Sequence, residues 1–210
     1  IQVKDGTLYR NFPDGTAENT AIAKQTDVPM EIERFARQFS VEDHGFKFIT
    51  NGLFGYLTYD AVQYFEDVEI TRKENSPEIP EVYYAVYRNI IAIDHFKNEA
   101  YLFAHSYDGV DNLPQLEQLL AIQTFATYRF LREGSRDSNL EDAEYLEHVE
   151  RAKKHCARGD VFQLVLSRRF SQRFKGDEFN VYRALRSINP SPYLFYFDYG
   201  DFKIFGSSPE

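Results

Sequence analysis

The sequence predicts an α+β fold in which mainly antiparallel sheets pack against helices. Strand signals occur in hairpin pairs separated by helices, whereas a parallel sheet would require a regular alternation of strand and helix. Of the 210 residues, 43% are apolar and 16% are aromatic, which is enough to fill the core of one large domain or two small ones. The chain is therefore expected to be globular.

The first predicted elements are a hairpin and a helix. Asp5-Gly6 is the turn signal of a type I′ hairpin, with a short strand on each side. A polar stretch follows as far as Asp27, which together with Pro29 predicts the start of a helix. The buried side of this helix is predicted to consist of Met30, Phe35, Ala36 and Phe39.

The middle of the chain predicts further strands and helices after an aromatic stretch punctuated by glycines. In chain order, the predicted elements are a short helix over residues 61–66, a charged surface loop over 71–81, a β-rich pair over 82–94 and 100–105, and a helix over 113–125 with Pro114 at its start.

A polar, charged stretch between Arg129 and Asp142 predicts a domain boundary. We expect one domain over residues 1–135 and a second over residues 136–210. The predicted elements of the second domain are a helix that begins at a capping box over Ser138–Glu141 and ends at Gly159, a strand over 161–170, a helix capped by Asp177, and paired strands over 193–197 and 202–205.

Charge and composition argue against several classes of function. The formal net charge of -9 disfavours a surface for nucleic acid or anionic membranes, because such binding depends on lysine and arginine. The sequence contains no apolar run of membrane-spanning length and no secretion signal, so a cytoplasmic protein is expected. The single cysteine, Cys156, excludes an internal disulfide and is expected to be a small buried apolar residue.

Common catalytic signatures are missing from the sequence, so the candidate sites rest on individual residues. His148 and His155 share a helical face, but about 10 Å separates positions seven apart, and a solvated surface is favoured over a metal site. The predicted strand over 161–170 places Gln163 on a partly polar face, which is either a solvent face or a wall that faces a ligand. The two prolines of Asn189–Tyr193 indicate either a simple turn or a rigid backbone that recognises a small polar ligand.

Four segments, in one order along nearly the whole chain, resemble chorismate-utilising enzymes and, within them, anthranilate synthase component I. They are Gly52–Glu66 (GLFGYLTYDAVQYFE), Gly159–Phe170 (GDVFQLVLSRRF), Asn189–Phe195 (NPSPYLF) and Gly206–Glu210 (GSSPE). The resemblance implies the N-terminal domain of that enzyme over residues 1–135 and the beginning of its chorismate-binding domain over 136–210. Both ends of the chain are expected to be cuts.

The reaction that the resemblance implies is that of a lyase. Chorismate is aminated at C2, loses its C4 hydroxyl and eliminates pyruvate to give anthranilate, the first step of tryptophan biosynthesis. Glu210 matches the general acid of the family. Gln163 matches the position of a lysine that activates water in isochorismate and salicylate synthases, and because glutamine is not a base at neutral pH, it favours ammonia as the nucleophile.

The resemblance also implies ligands and a partner. Mg²⁺ is expected, with its ligands downstream of residue 210, and a glutamine amidotransferase subunit is expected to supply ammonia. In feedback-inhibited relatives, tryptophan binds partly through the NPSPY motif. The inhibitor contacts carried over are Asn189, Pro190, Pro192, Tyr193 and Leu194. The upstream serine motif that completes this pocket in the family is absent from the sequence.

Two alternatives to anthranilate synthase stay open. The first is aminodeoxychorismate synthase component I of the folate pathway, which shares the amination but retains the pyruvyl group; Ser167–Phe170 looks more like the anthranilate branch. The second is a non-catalytic ligand-binding module with the same fold. For an anthranilate synthase, the 210-residue chain alone is expected to be inactive.

Overall fold

The computed structural model describes residues 1–25, 27–42, 44–71, 76–124 and 127–208. The chain forms two compact units, Ile1–Thr124 and Phe125–Glu210. The division lies ahead of the expected boundary at residue 135, because the strand Leu131–Ser138 pairs with Phe170–Lys175 of the second unit. The assignment of domains to residues 1–135 and 136–210 stays a prediction.

Five antiparallel strands form the main sheet of the first unit, in the spatial order β3-β2-β1-β5-β4. The strands are β1 (Gln2–Lys4), β2 (Thr7–Asn11), β3 (Ala17–Ala21), β4 (Phe54–Leu57) and β5 (Val82–Ala85). The predicted first hairpin is present, and Asp5 and Gly6 have φ of 49° and 71°, the left-handed values that a type I′ turn requires. The sequence did not predict β3, because all of its side chains are exposed and none forms an apolar alternation.

The core of the first unit lies between this sheet, helix α1 (Asp27–Ala36) and a short 3₁₀ helix (Tyr59–Tyr64). The buried side chains of this core are Ile1, Val3, Leu8, Val28, Phe35, Ala61, Tyr64 and Val82. The predicted buried side of α1 is right for Phe35 but wrong for Met30, which is 56% exposed. Met30 lies two residues after buried Val28, about 200° around the helix axis, so it points away from the sheet.

A second, two-stranded sheet completes the first unit together with α2 (Leu113–Leu120). Its strands are β6 (Asn89–Asp94) and β7 (Glu99–Ala104), which pair across the predicted Lys97-Asn98 turn. The predicted run over residues 82–94 is therefore divided between two sheets. Helix α2 ends at Leu120, before the predicted end at residue 125, which lies outside the described residues.

The second unit contains two helices and two pairs of antiparallel strands. These elements are β8 (Leu131–Ser138), α3 (Asp142–Arg158), β9 (Phe170–Lys175), α4 (Phe179–Ile188), β10 (Tyr193–Asp198) and β11 (Lys203–Ser208). The fold class is thus α+β, as predicted. Helix α3 ends at Gly159, as predicted, with a left-handed φ of 78°.

The predicted strand over residues 161–170 is wrong, because only its last residue belongs to a strand. Residues 161–169 run outside helix and strand, and in the described part of the chain no strand pairs with them. A strand needs a hydrogen-bonded neighbour, and the alternating pattern does not supply one. Phe162 is consequently fully exposed and Val165 is 79% exposed.

Two further expectations about α3 are wrong. Ser138 belongs to β8, and the side chain of Glu141 makes no cap bond, so the capping box does not form. Cys156 is exposed. His148 and His155 are half-buried on one side of α3, and the side chain of His155 is 45% exposed.

Candidate functional site

Two of the recognised motifs meet at the open end of the β10–β11 hairpin. The strands pair in a register that sets Tyr193 opposite Ser208 and Leu194 opposite Ser207. The NPSPYLF segment enters β10 at this end, and the GSS residues leave β11 there. At the far end, the Asp198 carboxylate accepts the N–H of Gly200 at 2.9 Å and closes the predicted turn. Segments separated in the sequence are therefore brought side by side.

Serine hydroxyls connect the proline turn to β11. The Ser207 hydroxyl donates to the carbonyl of Asn189 at 2.6 Å. The Ser191 hydroxyl donates to the carbonyl of Ser208 and accepts the N–H of Tyr193 at 3.1 Å. We call Asn189–Pro192 the proline turn; it is held against β11 at two points. Sequence reasoning missed both contacts, because they join residues 17 and 18 positions apart.

Helix α4 fixes the start of the proline turn. The Asp177 carboxylate accepts the N–H of Phe179 at 2.9 Å just before the helix, but the N-cap residue is Glu178, so the predicted cap at Asp177 is wrong by one position. The Tyr182 ring lies 5.4 Å from that of Tyr196 and 6.2 Å from that of Phe205, so α4 packs on both strands of the hairpin. The N–H of Asn189 donates to the carbonyl of Leu185 at 2.8 Å at the end of α4.

A polar network lies beside these rings. The Tyr196 hydroxyl donates to the Glu178 carboxylate at 3.2 Å, and Lys203 lies 3.4 Å from the same carboxylate. Burial, together with this acidic partner, raises the pKa of Tyr196 to about 12. A backbone hydrogen bond, followed by the contacts from Lys203 and Tyr196, lowers the pKa of Glu178. The network therefore holds α4 to both strands of the hairpin with an ionised carboxylate at its centre.

The predicted inhibitor contacts lie together at this open end. Asn189, Pro190 and Pro192 are exposed in the proline turn, and the Tyr193 side chain is 61% exposed at the first position of β10. Leu194 follows and is half-buried. Their role in binding tryptophan stays a prediction.

The predicted catalytic pair is placed only in part. Gln163 is exposed in the extended segment after α3, and it does not line the cavities found among the described residues. Glu210 lies outside the described residues, two positions after Ser208 in the sequence. The catalytic roles of the two side chains therefore stay a prediction.

A small cleft lies between α3 and the extended segment that contains Gln163. Its volume is about 270 Å³, and it is lined by His148, Arg151, Ala152, His155, Leu164 and Leu166. The Asp160 carboxylate contacts His155 at 2.8 Å and Arg158 at 2.6 Å, and these hydrogen bonds lower the pKa of Asp160. Leu164 and Leu166 of this segment thus line the cleft beside α3, whereas Phe162 of the same alternating pattern is fully exposed.

A larger cavity of about 900 Å³ lies in the first unit. Much of its wall is aromatic, with contributions from Phe12, Phe35, Phe39, Tyr83, Tyr84, Tyr87 and Tyr107. Arg88, at its edge, is paired with Asp108 at 3.0 Å. None of the predicted site residues lines this cavity.

Comparison with protein families connects this geometry to known proteins. The family of chorismate binding enzymes matches residues 6–210. The chain belongs to this family. The match covers both units and includes every recognised segment, from the aromatic stretch of the first unit to the end of β11.

The relatives of this chorismate binding enzyme chain are longer proteins. Anthranilate synthase component 1 of Aquifex aeolicus is 35% identical over 76% of this chain and 35% of its own length. The protein of the same name from Acinetobacter calcoaceticus is 35% identical over 85% of this chain and 40% of its own length. Aminodeoxychorismate synthase component 1 of Bacillus subtilis is 33% identical over 80% of this chain and 37% of its own length. The chain thus spans less than half the length of these relatives.

A solved structure shares the fold. Anthranilate synthase component I from Streptococcus pneumoniae superposes with a TM-score of 0.72 at 25% identity, covering 100% of this chain and 48% of that chain. The mixed arrangement of helices and antiparallel sheets is therefore that of this enzyme fold, as the sequence predicted.

Across the described ranges, no three or more His, Cys, Asp or Glu side chains are grouped so as to hold a metal ion. Among the same residues, no helix combines the length and apolar character needed to cross a bilayer.

Proposed function

We propose that the protein containing this chain is the large subunit of an anthranilate synthase. The observation that carries the use of ammonia in this proposal is the identity of Gln163, an amide at the position where water-activating relatives carry lysine, whereas the choice of anthranilate as the product rests on the relatives. An amide is not a base at neutral pH, so the site is suited to ammonia, which is already a nucleophile. The relatives named anthranilate synthase component 1 support the same reading.

In this proposal, each residue has a separate role. Gln163 lies beside the substrate ring and accommodates the incoming ammonia. Glu210 donates a proton to the C4 hydroxyl, because hydroxide is a poor leaving group without an acid. Mg²⁺, held by residues outside positions 1–210, would bind the substrate carboxylate.

The proposal includes a partner and an inhibitor. A glutamine amidotransferase subunit supplies ammonia, and tryptophan binds at the proline turn and the start of β10. The two prolines limit the freedom of the backbone there, so little entropy is lost when a ligand binds. Tyr193 offers an exposed aromatic face for the indole ring. The net charge of -9 supports a protein without a nucleic-acid or anionic-membrane partner, and a cytoplasmic location belongs to the same proposal.

Aminodeoxychorismate synthase is the second candidate. The relative from Bacillus subtilis with that name favours it, since its identity of 33% is close to that of the anthranilate synthases. Both reactions begin with amination of chorismate, so Gln163 is compatible with either. The products differ, because only one of them has lost the pyruvyl group.

Product identity tests the proposal. The full-length protein is incubated with chorismate, ammonium and Mg²⁺, and anthranilate is followed by its fluorescence. Anthranilate is expected. Aminodeoxychorismate, detected as 4-aminobenzoate after addition of a separate lyase, would replace the proposal with the second candidate.

The same assay includes two controls. The 210-residue chain alone is expected to give no fluorescence, because the proposed metal ligands lie outside it. Omission of ammonium should abolish the product of the full-length protein, whereas a product formed from chorismate and water alone would contradict the role of Gln163.

A further inference from the structure

The segment that carries Gln163 is attached to the end of α3. We call residues 161–169 the return segment. Just before it, the Asp160 N–H donates to the His155 carbonyl at 3.1 Å, and the Asp160 carboxylate accepts a hydrogen bond from Arg158 at 2.6 Å. The first end of the return segment is therefore fixed where the helix ends.

The other end of the return segment is attached near the start of α3. The Arg169 N–H donates to the Asn139 side chain at 2.8 Å, and the Asn139 N–H donates to the Arg169 carbonyl at 3.1 Å. The Arg168 guanidinium donates to the Ser138 hydroxyl at 2.7 Å and to the Asp142 carboxylate at 2.5 Å. Because the Arg168 side chain is only 16% exposed, its guanidinium depends on these protein partners for hydrogen bonds.

The return segment has little slack between its two attachments. The 17 residues of α3 rise about 24 Å between the ends of the helix. The nine peptide steps from Asp160 to Arg169 cover at most about 32 Å, and part of this length is used beyond the two ends of the helix. Between the attachments, Leu164 and Leu166 line the cleft beside α3. The position of Gln163 therefore depends on both attachments.

We infer that Arg168 and Asn139 are positioning residues, which hold Gln163 where the nucleophile arrives. This inference rests on the proposed function, in which Gln163 accommodates the incoming ammonia. A displacement of about 1 Å near the reacting atoms can lower a rate by about 100-fold. Release of the return segment at its second end should therefore impair the use of ammonia, although neither positioning residue is assigned a contact with the substrate.

The contacts of Arg168 require the shape of an arginine as well as its charge. Its Nε donates to Ser138 and its Nη1 donates to Asp142, while its Cζ lies 4.7 Å from the centre of the Phe170 ring. A lysine carries the charge but lacks the planar group that binds two partners at fixed angles. Arg168→Lys should therefore replace only part of the attachment.

The test uses the full-length protein with ammonium as the nitrogen source. Amination is followed by the consumption of chorismate above a blank without ammonium, so the result does not depend on which product forms. Arg168→Ala should lower kcat/KM for ammonium at least about tenfold, the effect of one hydrogen bond to a charged group. Asn139→Ala should lower it about fivefold, because its bond is neutral. Arg168→Lys should cause a smaller loss than Arg168→Ala.

Arg136→Ala is the matched control. The Arg136 guanidinium also lies over the Phe170 ring, at 4.6 Å, but its backbone pairs with Gln172 of β9 and not with the return segment. This variant should keep the wild-type kcat/KM for ammonium even where it lowers the melting temperature. If Arg136→Ala and Arg168→Ala lower kcat/KM for ammonium equally, the effect is one of general stability and the inference is wrong.

A double-variant cycle with Gln163→Ala shows whether Arg168 acts through Gln163. Gln163→Ala alone should lower kcat/KM for ammonium. Arg168→Ala should then add little to this loss, because the residue that it positions is already absent. Fully additive losses would overturn the inference. If Arg168→Ala does not fold, Arg168→Lys and Asn139→Ala take its place in the same cycle.

The remaining outcomes separate the inference from the proposed function. Wild-type kcat/KM for ammonium in Arg168→Ala would overturn the positioning role and leave the proposed function intact. Wild-type use of ammonium by Gln163→Ala would overturn the proposed role of Gln163 and the inference together. A full-length protein that consumes no chorismate with ammonium would overturn the proposed function itself.

Discussion

Gly206 and Phe195 lie close together across the hairpin. They are directly opposed in the register, and the aromatic ring lies over the glycine. Gly206 is not in the left-handed region, so an alanine would fit its backbone but not the space beneath the ring. The contact explains why a residue without a side chain stands in the middle of a strand.

We predict that Gly206→Ala destabilises the protein by about 1–3 kcal/mol, because its Cβ would lie 2.8 Å from Phe195 Cζ and force the ring to shift. Chemical denaturation measures the change. Phe195→Leu provides the room that the methyl group needs, so the double variant should be more stable than the sum of the single effects implies. Simple additivity in this cycle would show that the ring is not what excludes the alanine.

At the level of residues, the sequence predicted which segments carry the site but not how they are joined. The motifs identified Asn189–Leu194 and the end of β11 as candidate regions. The hydroxyl contacts of Ser191 and Ser207 followed only from the structure. A serine can bond to many carbonyls, and the pairing of the strands decides which one is near.

At the level of elements, local sequence signals predicted the hairpins. They failed where the formation of a strand depends on a pairing partner elsewhere in the chain. Asp5-Gly6 and the turn over residues 199–201 lie between strands that pair with each other, so the information is local. The extended run at 161–169 has a strand-like pattern without a paired neighbour in the described chain, and β3 pairs with β2 without an apolar pattern. Pairing, rather than pattern, distinguishes these two cases.

The attachment of α4 to the hairpin depends on the charge of Glu178. Its pKa is lowered in the folded protein, so it stabilises the fold above the unfolded pKa, and this contribution is lost as pH falls through the folded pKa. The side chains of Glu178 and Lys203 are each about a quarter exposed. Solvent therefore screens part of their ionic interaction, so the contribution of this ion pair to the free energy of unfolding is small.

We therefore predict that Glu178→Gln lowers the melting temperature at pH 7 by up to about 3 °C. The difference from the wild type should begin to shrink as pH falls below about 4.3, the ordinary pKa of glutamate, and should be lost once pH is below the lowered pKa of Glu178 in the folded protein. Thermal unfolding between pH 7 and pH 3 measures it. Glu147→Gln, on the exposed side of α3, is the control and should leave the melting temperature unchanged at every pH. If the melting temperature of Glu178→Gln differs from that of the wild type by the same amount at every pH, the ionic explanation is wrong.

At the level of the whole molecule, burial is distributed unevenly between the two units. The main core cluster consists of side chains from the first unit, including Val3, Leu8 and Val82. In the part of the second unit that the structure describes, no side chain is fully buried, and α3 and α4 each lack a buried residue. Because burial of apolar surface is the main stabilising contribution to folding, the second unit has the weaker support.

This difference predicts unequal hydrogen exchange along the 210-residue chain. The strands β1, β2 and β5 surround the core of the first unit. Their backbone amides should exchange at least about tenfold more slowly than the amides of β8–β11. A tenfold ratio corresponds to a difference of about 1.4 kcal/mol in the free energy of opening. Exchange followed by mass spectrometry at pH 7 measures both sets in one sample, with β3 as an internal control because its exposed edge should exchange rapidly. Equal protection of the two units would mean that they open together, and stability could then not be assigned to the buried cluster of the first unit alone.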